Sequence, residues 1–593
     1  CLDLQSFARG FLSIWAIPSI VNNFQHHASK ASAGSFWAAC ALLTVCCAQV
    51  SAQTAADAGS LLNQIQRSFP PPRLPDVGPP APPPKVELTE PKGPKIVVTT
   101  FRFTGNLLIP TETLAPQLAA YLGKPLSFED LRNAAADISL LYRKEGYVAT
   151  VSVPKQEVVD GVVTLRVIES RFGGVRVDPA SDGRVDPELL RRYILAAMPP
   201  GAPTDMRQLD RGILLAGDLP GAAVTGGLAA GTEEGRSDLV LLSRRTPLWS
   251  GSLSADNAGA RSTGAARGLA SLALLGPTGR GERYAVDVLR SEGAEYGRLG
   301  ASFPVGDEGS RVSVGGSRMD YELISPEFAA SRLAGQATTL NLDYVRPLAR
   351  SRVFNVNFTA GYDVKGFLNR AAGATVSDYA IRTLSAGCDA NVYDGFFGGG
   401  VTTGQLQWTV GELDLDGSPN QSGVAATTRA EGRFQKLRLG VTRTQNVAEG
   451  LVLAASLNGQ LASKNLDSAE KLFAGGVGGV RAYPVNEGSG DAGYLAALEA
   501  RWQFAARWQA IAFVDHARLR VNADNAITGA VADNSLGYQG AGLGLSWAGP
   551  YDSVWRATWS RRLGDNPNPK PDGADQDGTL RLDRFWLSLS LAF

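Results

Sequence analysis

The chain has 593 residues, too many for one ordinary hydrophobic core, and its 57 basic residues balance 57 acidic ones. A net charge of zero gives no basic surface for nucleic acid, so we expect no nucleic-acid partner. Only three histidines and five cysteines are present, and four of the cysteines lie within the first 50 residues. This distribution argues against a disulfide framework and against a Cys/His zinc site in the main body of the chain.

Residues 1–52 predict an exported protein, with a signal peptide and the residues upstream of it. Lys30 precedes an apolar run over residues 36–50, and the tripeptide Val50-Ser51-Ala52 resembles a signal-peptidase site. The run is shorter than the roughly 20 residues of a membrane-spanning helix. We therefore expect cleavage near Ala52. An exported chain with no later spanning helix is either soluble or a membrane β-barrel.

Two segments of different character follow the signal peptide. Residues 55–68 predict a short helix with Leu61, Leu62 and Ile65 clustered on one face. The next segment, residues 69–95, contains 11 prolines in 27 residues, which is typical of an extended spacer that forms no core. This spacer is either a disordered tail or a tether that connects a mobile helix to the next domain.

A compact α+β pattern begins at Ile96, and its element order β-α-α-β-β occurs twice. Ser127 and Asp130 have the spacing of a capping box at the start of one helix. The predicted elements of the first unit are a strand at 96–105, helices at 114–122 and 128–144, and strands at 147–154 and 161–170. Those of the second unit are a strand at 172–178, helices at 187–197 and 206–219, and strands at 224–228 and 237–244. The sequence therefore predicts a tandem repeat of about 75 residues.

Helical periodicity disappears after residue 246, and alternation of apolar and polar residues replaces it. Residues 354–364 alternate almost without exception, and Trp555, Ala557 and Trp559 share one face of another segment. Strands of about 9–11 residues separated by Gly, Asp, Ser and Asn are typical of a membrane barrel. A soluble β-domain would also alternate, but its turns would be shorter. We predict a membrane β-barrel of about 16 antiparallel strands over residues 247–593.

The last ten residues support this prediction. Phe585, Leu587, Leu589, Leu591 and Phe593 fall on one face of a strand. An apolar stripe that ends in a terminal aromatic residue is what a lipid-facing closing strand requires. We therefore expect Phe593 to serve as the C-terminal assembly signal.

Five segments together resemble one family. In chain order they cover residues 142–171, 209–239, 256–284, 465–502 (which includes VGGVRAYPVNEGSGD) and 513–519. They are similar to the first and second POTRA domains, the first barrel hairpin, the long loop and the facing strand of the outer-membrane transporters of two-partner secretion. This is the haemolysin secretion/activation family (TpsB type, related to ShlB, FhaC and HecB) of the BamA superfamily.

The resemblance implies a division of the chain into segments. After the signal peptide these are a plug helix at 53–68, a Pro-rich linker at 69–95, periplasmic POTRA domains at 96–172 and 173–246, and a transmembrane barrel at 247–593 with a lumenal loop at 465–495. The fold class implied is thus a membrane β-barrel preceded by two α+β POTRA domains and a plug helix.

The resemblance also implies a site. The family's loop motif falls on Val480, Arg481 and Tyr483, and its facing strand motif falls on Phe513 and Asp515. In the family the arginine folds into the barrel lumen and pairs with the acidic residue of the strand. Without the resemblance, the same loop is an ordinary exposed turn with one cation. Glycines beside the arginine suggest that the loop uses φ > 0 and approaches the wall closely.

One position departs from the family pattern. The strand motif usually has a glycine two residues after the acid, whereas this chain has Ala517, with His516 between.

The sequence contains no candidate catalytic or phosphate-binding site. Cys388 and His516 have no partners for nucleophilic catalysis. The GGVGG segment at 475–479 is not followed by the Lys-Ser/Thr of a phosphate loop. We predict no enzyme activity, no cofactor and no metal site.

The resemblance implies a pore in the bacterial outer membrane that takes an unfolded exoprotein, haemagglutinin-like or haemolysin-like, through its POTRA domains to the cell surface. One alternative is a BamA-like insertase, although such a protein normally carries more POTRA repeats. A second alternative is a small-solute porin, which needs no periplasmic repeats. Other expected partners are outer-membrane lipid and the barrel assembly machinery during insertion, and a monomer is expected.

Overall fold

The structure is a computed structural model that describes residues 56–69 and 95–593. The predicted signal peptide and residues 70–94 of the predicted linker lie outside the described residues. Within the described part of the chain, none of the helices is both long enough and apolar enough to cross a membrane.

The helix predicted over 55–68 is observed as α1 (Ala58–Arg67). It begins at a capping box in which the Asp57 carboxylate accepts a hydrogen bond from the Ser60 amide, at 2.8 Å. Leu61, Leu62 and Ile65 are all buried. A single amphipathic helix buries such a face only against another part of the fold, which here is the barrel.

The first α+β unit has a three-stranded sheet and a separate two-stranded ladder. Its elements are β1 (Ile96–Val97), β2 (Thr100–Thr104), α2 (Thr111–Leu114), β3 (Pro125–Leu126), α3 (Phe128–Lys144), β4 (Ala149–Ser152) and β5 (Val162–Glu169). The predicted capping box of Ser127 and Asp130 is present. The helix predicted over 114–122 is wrong as an α-helix. After α2 the chain continues as a 3₁₀-helix over 115–121, because Pro116 cannot donate the next α-helical hydrogen bond.

Apart from the β1–β3 ladder, the second unit repeats the order of the first, which confirms the predicted tandem repeat. Its elements are β6 (Arg171–Val177), α4 (Pro187–Ala197), α5 (Met206–Gly217), β7 (Ala222–Ala230) and β8 (Arg236–Arg245). The sheets have the orders β2-β5-β4 and β6-β8-β7. Strand β2 pairs in parallel with β5, and β6 pairs in parallel with β8.

The rest of the chain forms a closed antiparallel barrel of 16 strands. In chain order the barrel strands are β9 (Trp249–Asp256), β10 (Arg267–Leu275), β11 (Arg283–Arg290), β12 (Ala294–Val305), β13 (Ser310–Glu322), β14 (Ala334–Arg350), β15 (Phe354–Ala371), β16 (Ala374–Asp394), β17 (Gly400–Asp414), β18 (Gly432–Ala448), β19 (Leu451–Ala462), β22 (Ala492–Ala505), β23 (Trp508–Arg520), β24 (Ser535–Ala548), β25 (Ser553–Arg562) and β26 (Asp583–Ala592). Two short strands outside the barrel, β20 (Leu472–Phe473) and β21 (Ser489–Gly490), lie between β19 and β22. Strands β20 and β21 pair only with each other, and β26 closes the ring on β9. A short helix, α6 (Gln421–Ala426), lies between β17 and β18.

The outer surface of the barrel is apolar. Leu340, Leu384, Leu543 and Phe585 point outward, and between 58% and 68% of their surface is exposed. An exposed apolar belt around a closed barrel suits lipid, so the membrane β-barrel prediction is confirmed.

The predicted strand length of about 9–11 residues is wrong for much of the barrel. Strand β9 has 8 residues, β15 has 18 and β16 has 21. A hydrogen-bonded hairpin satisfies its backbone in water as well as in lipid, so the sheet continues beyond the apolar belt.

The second α+β unit is attached to one end of the barrel. Arg350 pairs with Asp218 at 2.8 Å, and Arg352 pairs with Asp210 at 2.7 Å. Both arginines lie at the turn between β14 and β15. This end of the barrel is therefore the one on the side of the α+β units.

Candidate functional site in the barrel lumen

The long loop between β19 and β22 (residues 463–491) lies inside the barrel. Its side chains and backbone reach Lys365 of β15, Lys436 of β18, Asp515 of β23 and Trp586 of β26. These strands lie on different sides of the ring, so a segment that touches all of them crosses the lumen. The segment predicted as the lumenal loop, 465–495, differs at its end, because residues 492–495 belong to β22.

Arg481 is at the centre of the predicted site. Its Nε donates to Oδ2 of Asp515 at 2.8 Å, and its Nη2 donates to Oδ1 at 2.6 Å, which is a two-pronged contact. The Arg481 backbone amide also donates to Asp515, at 3.0 Å. Only 1% of the Asp515 side chain and 13% of the Arg481 side chain is exposed. The structure thus brings these two predicted residues together with low access to water.

Phe513 and one further acid complete the surroundings of the guanidinium. The Arg481 Cζ atom lies 3.4 Å from the centre of the Phe513 ring, a cation–π arrangement. The Arg481 Nη1 donates to Glu499 at 2.6 Å, and Glu499 also pairs with Arg501. The sequence interpretation missed Glu499. Its signal is its register: Glu499 lies directly opposite Phe513 on the neighbouring strand and so faces the lumen.

The backbone of the same residue binds two more strands. The Arg481 carbonyl accepts hydrogen bonds from Ser560 Oγ at 2.7 Å and from Trp586 Nε1 at 2.8 Å. Ser560 belongs to β25 and Trp586 to β26. The loop tip therefore joins β22 and β23 to the last two strands of the barrel.

The other predicted loop residues are packed beside the arginine. Val480 and Tyr483 are buried, and Tyr483 meets Tyr538 edge-on with ring centres 4.9 Å apart. Ala517, where the family usually has glycine, is fully buried in the same apolar cluster. Its methyl group coexists with the contact between Arg481 and Asp515.

Glycines on both the loop and the wall allow the two to approach closely: a Cβ atom on Gly488 of the loop would overlap the Tyr538 hydroxyl oxygen. A Cβ atom on Gly540 of β24 would lie 2.6 Å from the Cβ of Ala482. Positive φ angles in the loop occur at Gly476, Asn486 and Gly488, whereas Gly478 and Gly479 have none. The prediction that glycines around Arg481 allow positive φ therefore holds at Gly476 and Gly488, but not at Gly478 and Gly479.

A second anchor, which the sequence interpretation also missed, lies at the base of the loop. Glu470 is 2.8 Å from Lys365 Nζ and also contacts Lys436, and only 2% of its side chain is exposed. Burial opposes ionisation of Glu470, but Lys365, Lys436 and Arg438 outweigh it and lower the pKa of this carboxyl. The Glu470 carbonyl accepts a further hydrogen bond from Gln460.

Helix α1 is docked on this base. The Ser468 hydroxyl donates to the Asp57 carboxylate at 2.8 Å, and the Asn63 amide donates to the carbonyls of Ala469 and Lys471. A Cβ atom on Gly59 would lie 2.5 Å from Ser468 Oγ. The helix and the loop base thus form one packed unit in the lumen.

Two carboxyl groups face each other within that unit. Burial, and then the charge of Asp57, raise the pKa of Asp467 from 3.8 to about 7. Tyr379 of β16 donates a hydrogen bond to Asp467 at 3.3 Å. The contact between helix and loop therefore contains a group that holds a proton more tightly when docked.

Phe593 is placed at the seam of the barrel. Its amide and carbonyl exchange hydrogen bonds with Gly251 at 3.0 and 2.8 Å. A Cβ atom on Gly251 would lie 2.6 Å from the Phe593 ring. The last residue thus completes the pairing of β26 with β9.

A closed lipid-facing barrel, two α+β units of one topology at its end, and a lumen occupied by a helix and a loop define an outer-membrane transporter of the POTRA type. Residues 235–546 match the family described as haemolysin secretion/activation protein ShlB/FhaC/HecB, and residues 96–170 match the ShlB-type POTRA domain. The chain belongs to the ShlB/FhaC/HecB haemolysin secretion/activation family.

Similar proteins agree with this assignment. The heme/hemopexin transporter protein HuxB of Haemophilus influenzae is 25% identical over 498 residues, which cover 82% of this chain and 85% of HuxB. The outer membrane transporter CdiB of Dickeya dadantii (strain 3937) is 25% identical over 439 residues, 70% of this chain and 74% of CdiB. The solved structure of CdiB from Escherichia coli has the same fold, with a TM-score of 0.65 at 20% identity over 86% of this chain and 93% of that one.

Membership of this family identifies the function of the barrel and its POTRA domains. The protein is a two-partner secretion transporter of the outer membrane, with its POTRA domains in the periplasm, and it carries a secreted exoprotein to the cell surface. This result supports the transporter prediction over the BamA-like alternative.

Proposed function

We propose that α1 and the long loop are a removable closure of the export channel. The observation that carries the proposal is their joint packing across the lumen, where hydrogen bonds join helix to loop and buried apolar side chains of both pack on the barrel wall. Asp57, Asn63 and Ser468 join helix to loop by hydrogen bonds, whereas Leu61 and Leu62 pack on the barrel wall. Polar contacts exchange for water at modest net cost, so such a unit can leave without loss of the barrel itself.

In this proposal Arg481 holds the tip of the loop against the barrel wall, and we call this residue the latch. A two-pronged contact to a buried carboxylate fixes one position, and removal of one partner of a buried pair commonly costs about 3–5 kcal/mol. Asp515 and Glu499 hold the guanidinium, Phe513 covers it, and Val480 and Tyr483 seat the neighbouring backbone. Release of the tip would free β23 to β26 from the lumenal segment.

Arg481→Ala tests the role of the latch. We expect the variant to insert normally, to conduct more current at rest in planar bilayers, and to secrete less client. Arg518→Ala is the matched control, because Arg518 lies on the same strand as Asp515, is exposed, and contacts Ser535 instead of the loop. Undiminished client secretion by Arg481→Ala would remove this role.

We propose further that the client docks as an added strand on a POTRA sheet edge. Strand β7 is the longest edge strand of the two units, with nine residues, and pairs on one side only, with β8. An open edge offers backbone hydrogen bonds with little demand on sequence, which suits an unfolded client.

A photo-crosslinking residue at the exposed Thr225 of β7 tests this docking. We expect it to capture the client during secretion, while the same residue at the partly exposed Arg191 position of α4 captures none. Equal capture at both positions would contradict docking at the edge.

The remaining assignments follow from this proposal. The segments would be a plug helix at 53–68, a linker at 69–95, POTRA domains at 96–172 and 173–246, and the barrel at 247–593. The client would be a haemagglutinin-like or haemolysin-like exoprotein, and the transporter would act as a monomer. Phe593 would present the barrel to the assembly machinery during insertion. Coexpression with a large repetitive exoprotein from the adjacent gene tests the choice of client.

A further inference from the structure

A cavity of about 520 Å³ lies outside the barrel, between the second α+β unit and the outer wall. Helix α5 forms one side of it with Gln208, Arg211 and Leu215, and strands β14 and β15 form the other with Tyr344, Arg346 and Phe358. The cavity is separate from the lumen and from the loop, so the export mechanism described above does not use it.

The barrel side of the cavity continues the lipid-facing surface. Tyr344 and Arg346 continue along β14 the outward-facing phase of Leu340 and Leu342, and Leu348 lies at a bulge just beyond them. The exposed fractions of Leu340, Leu342 and Leu348 are 68%, 49% and 55%. An acyl chain that lies against this strand therefore leads directly to the cavity.

The cavity is at the height of the membrane surface. Arg346 lies four positions before Arg350, the residue that binds Asp218 of the second α+β unit. The second α+β unit thus joins the barrel next to the cavity. Tyrosine and arginine side chains are characteristic of this interfacial level, where one end of the side chain is apolar and the other is wet.

The cavity contains one cation without a carboxylate partner. Arg346 pairs with Glu308, and Arg192 pairs with Asp307. Among the described residues Arg211 makes no ion pair within 4.0 Å, and its Nη2 donates only to the Pro347 carbonyl, at 3.2 Å. A partly buried guanidinium with unused donors favours an anion at the site.

Burial lowers the pKa of the Arg211 guanidinium. The charge of Glu308 opposes this decrease, and the charge of Arg346 adds to it. Arg346 already pairs with Glu308, so a bound anion would mainly relieve the desolvation of Arg211.

We propose that this cavity binds the phosphate of a phospholipid headgroup from the periplasmic leaflet, with Arg211 as the principal donor. A guanidinium presents paired donors that match phosphate oxygens. Arg346 is the second cation, Tyr344 and Phe358 border the glycerol region, and the acyl chains follow Leu342 and Leu340. The lipid then occupies the joint between the second α+β unit and the barrel.

Native mass spectrometry of the full chain in detergent tests the proposal. The protein is titrated with dioleoyl phosphatidylglycerol, with dioleoylglycerol, which has the same chains but no phosphate, and with inorganic phosphate as a competitor. We expect one phosphatidylglycerol to bind first, dioleoylglycerol to bind much more weakly, and millimolar phosphate to leave the lipid in place.

Variants locate the binding. Arg211→Gln is expected to weaken the first phosphatidylglycerol about tenfold, as the loss of one charge-assisted hydrogen bond does. Arg211→Lys keeps the charge and is expected to retain most of the affinity. Arg191→Gln removes the same charge from the exposed surface of α4, outside the cavity, and is expected to bind like the parent chain.

Three outcomes would overturn the proposal. Equal affinity of Arg211→Gln and the parent chain would place the lipid elsewhere. Equal binding of dioleoylglycerol would show that the phosphate is not recognised. Displacement of the lipid by inorganic phosphate would make the site one for a free anion.

Discussion

The long loop is held at two places with opposite charge arrangements. At its tip one cation, Arg481, lies between the carboxylates of Asp515 and Glu499. At its base one anion, Glu470, lies between Lys365 and Lys436. Both anchors are shielded from water, so each charge depends on its partners for compensation.

The two anchors differ in what remains when the loop residue leaves. At the tip, Glu499 keeps a second partner, Arg501, whereas the buried Asp515 keeps no cation within 4.0 Å among the described residues. At the base, neither lysine has a second carboxylate within 4.0 Å among the described residues, and Arg438 adds to the positive charge there. We propose that the tip, where Glu499 stays paired, releases first, and that the base, with α1 docked on it, releases last.

The largest expected effect comes from breaking the base with Glu470→Gln. Two buried lysines then lose their carboxylate, and we expect the free energy of local opening of residues 465–473 to fall by about 3–5 kcal/mol. Hydrogen exchange of these amides, and of α1, measures the change.

The control for this variant is Glu412→Gln on β17, since half of that side chain is exposed. Protection of α1 and the loop base that matched this control would contradict the stronger role of the base.

A smaller effect is expected at the tip from Arg481→Lys. Lysine keeps the charge but loses the fork that binds both oxygens of Asp515 and reaches Glu499, so we expect local opening of residues 477–485 to be easier by about 1–3 kcal/mol. Hydrogen exchange of the tip is the measurement, and Arg518→Lys on the outer face of β23 is the control. If Arg481→Lys weakened the base as much as Glu470→Gln does, the two anchors would not be separable.

The two anchors also differ in how far the sequence predicts them. The tip is carried by a local motif, so the resemblance was enough to single out Arg481 and Asp515, which the structure brings together. The base depends on Lys365, Lys436 and Glu470, which are separated by up to 105 residues. Only barrel registration makes them neighbours, and a one-residue shift in any strand would turn a lysine to the lipid.

The fold divides in the same way into features that the local sequence predicts and features that depend on contacts between distant residues. Repeated β-α-α-β-β order and alternation along the strands are local properties, and both predictions hold. The ends of the strands depend on pairing with their neighbours, and the 3₁₀-helix over 115–121 depends on one residue, Pro116. The alternation and periodicity of the sequence therefore predict both poorly. The close approach of the loop to the wall also depends on Gly540, a residue some 60 positions from Arg481 that only the folded barrel places beside it.

Gly540→Ala separates packing from charge at the tip. Its new methyl group would lie 2.6 Å from the Ala482 Cβ, and we expect the tip to loosen by about 1–2 kcal/mol although every charge is kept. Gly537→Ala on the same strand is the matched control, because nothing lies within 4 Å of the added atom. Hydrogen exchange of residues 479–483 reports the difference, and no difference between the two variants would argue that charge alone holds the tip.

The smallest expected effect is a pH dependence that belongs to the base and not to the tip. Asp467 has a docked pKa of about 7 against an ordinary 3.8, so docking of α1 is favoured fully below about pH 4 and is weakened as pH rises towards 7. The groups that face Asp467 are Asp57 of the helix, Tyr379 of the wall and Glu470 of the loop.

From pH 6 to pH 7 we expect the protection of the α1 amides, corrected for intrinsic exchange, to fall by about 1 kcal/mol. Asp467→Asn cannot ionise and is expected to lose this dependence while the residues around Arg481 exchange as before. A dependence that persisted in Asp467→Asn would assign the proton to another group and would remove the distinction between base and tip in their response to pH.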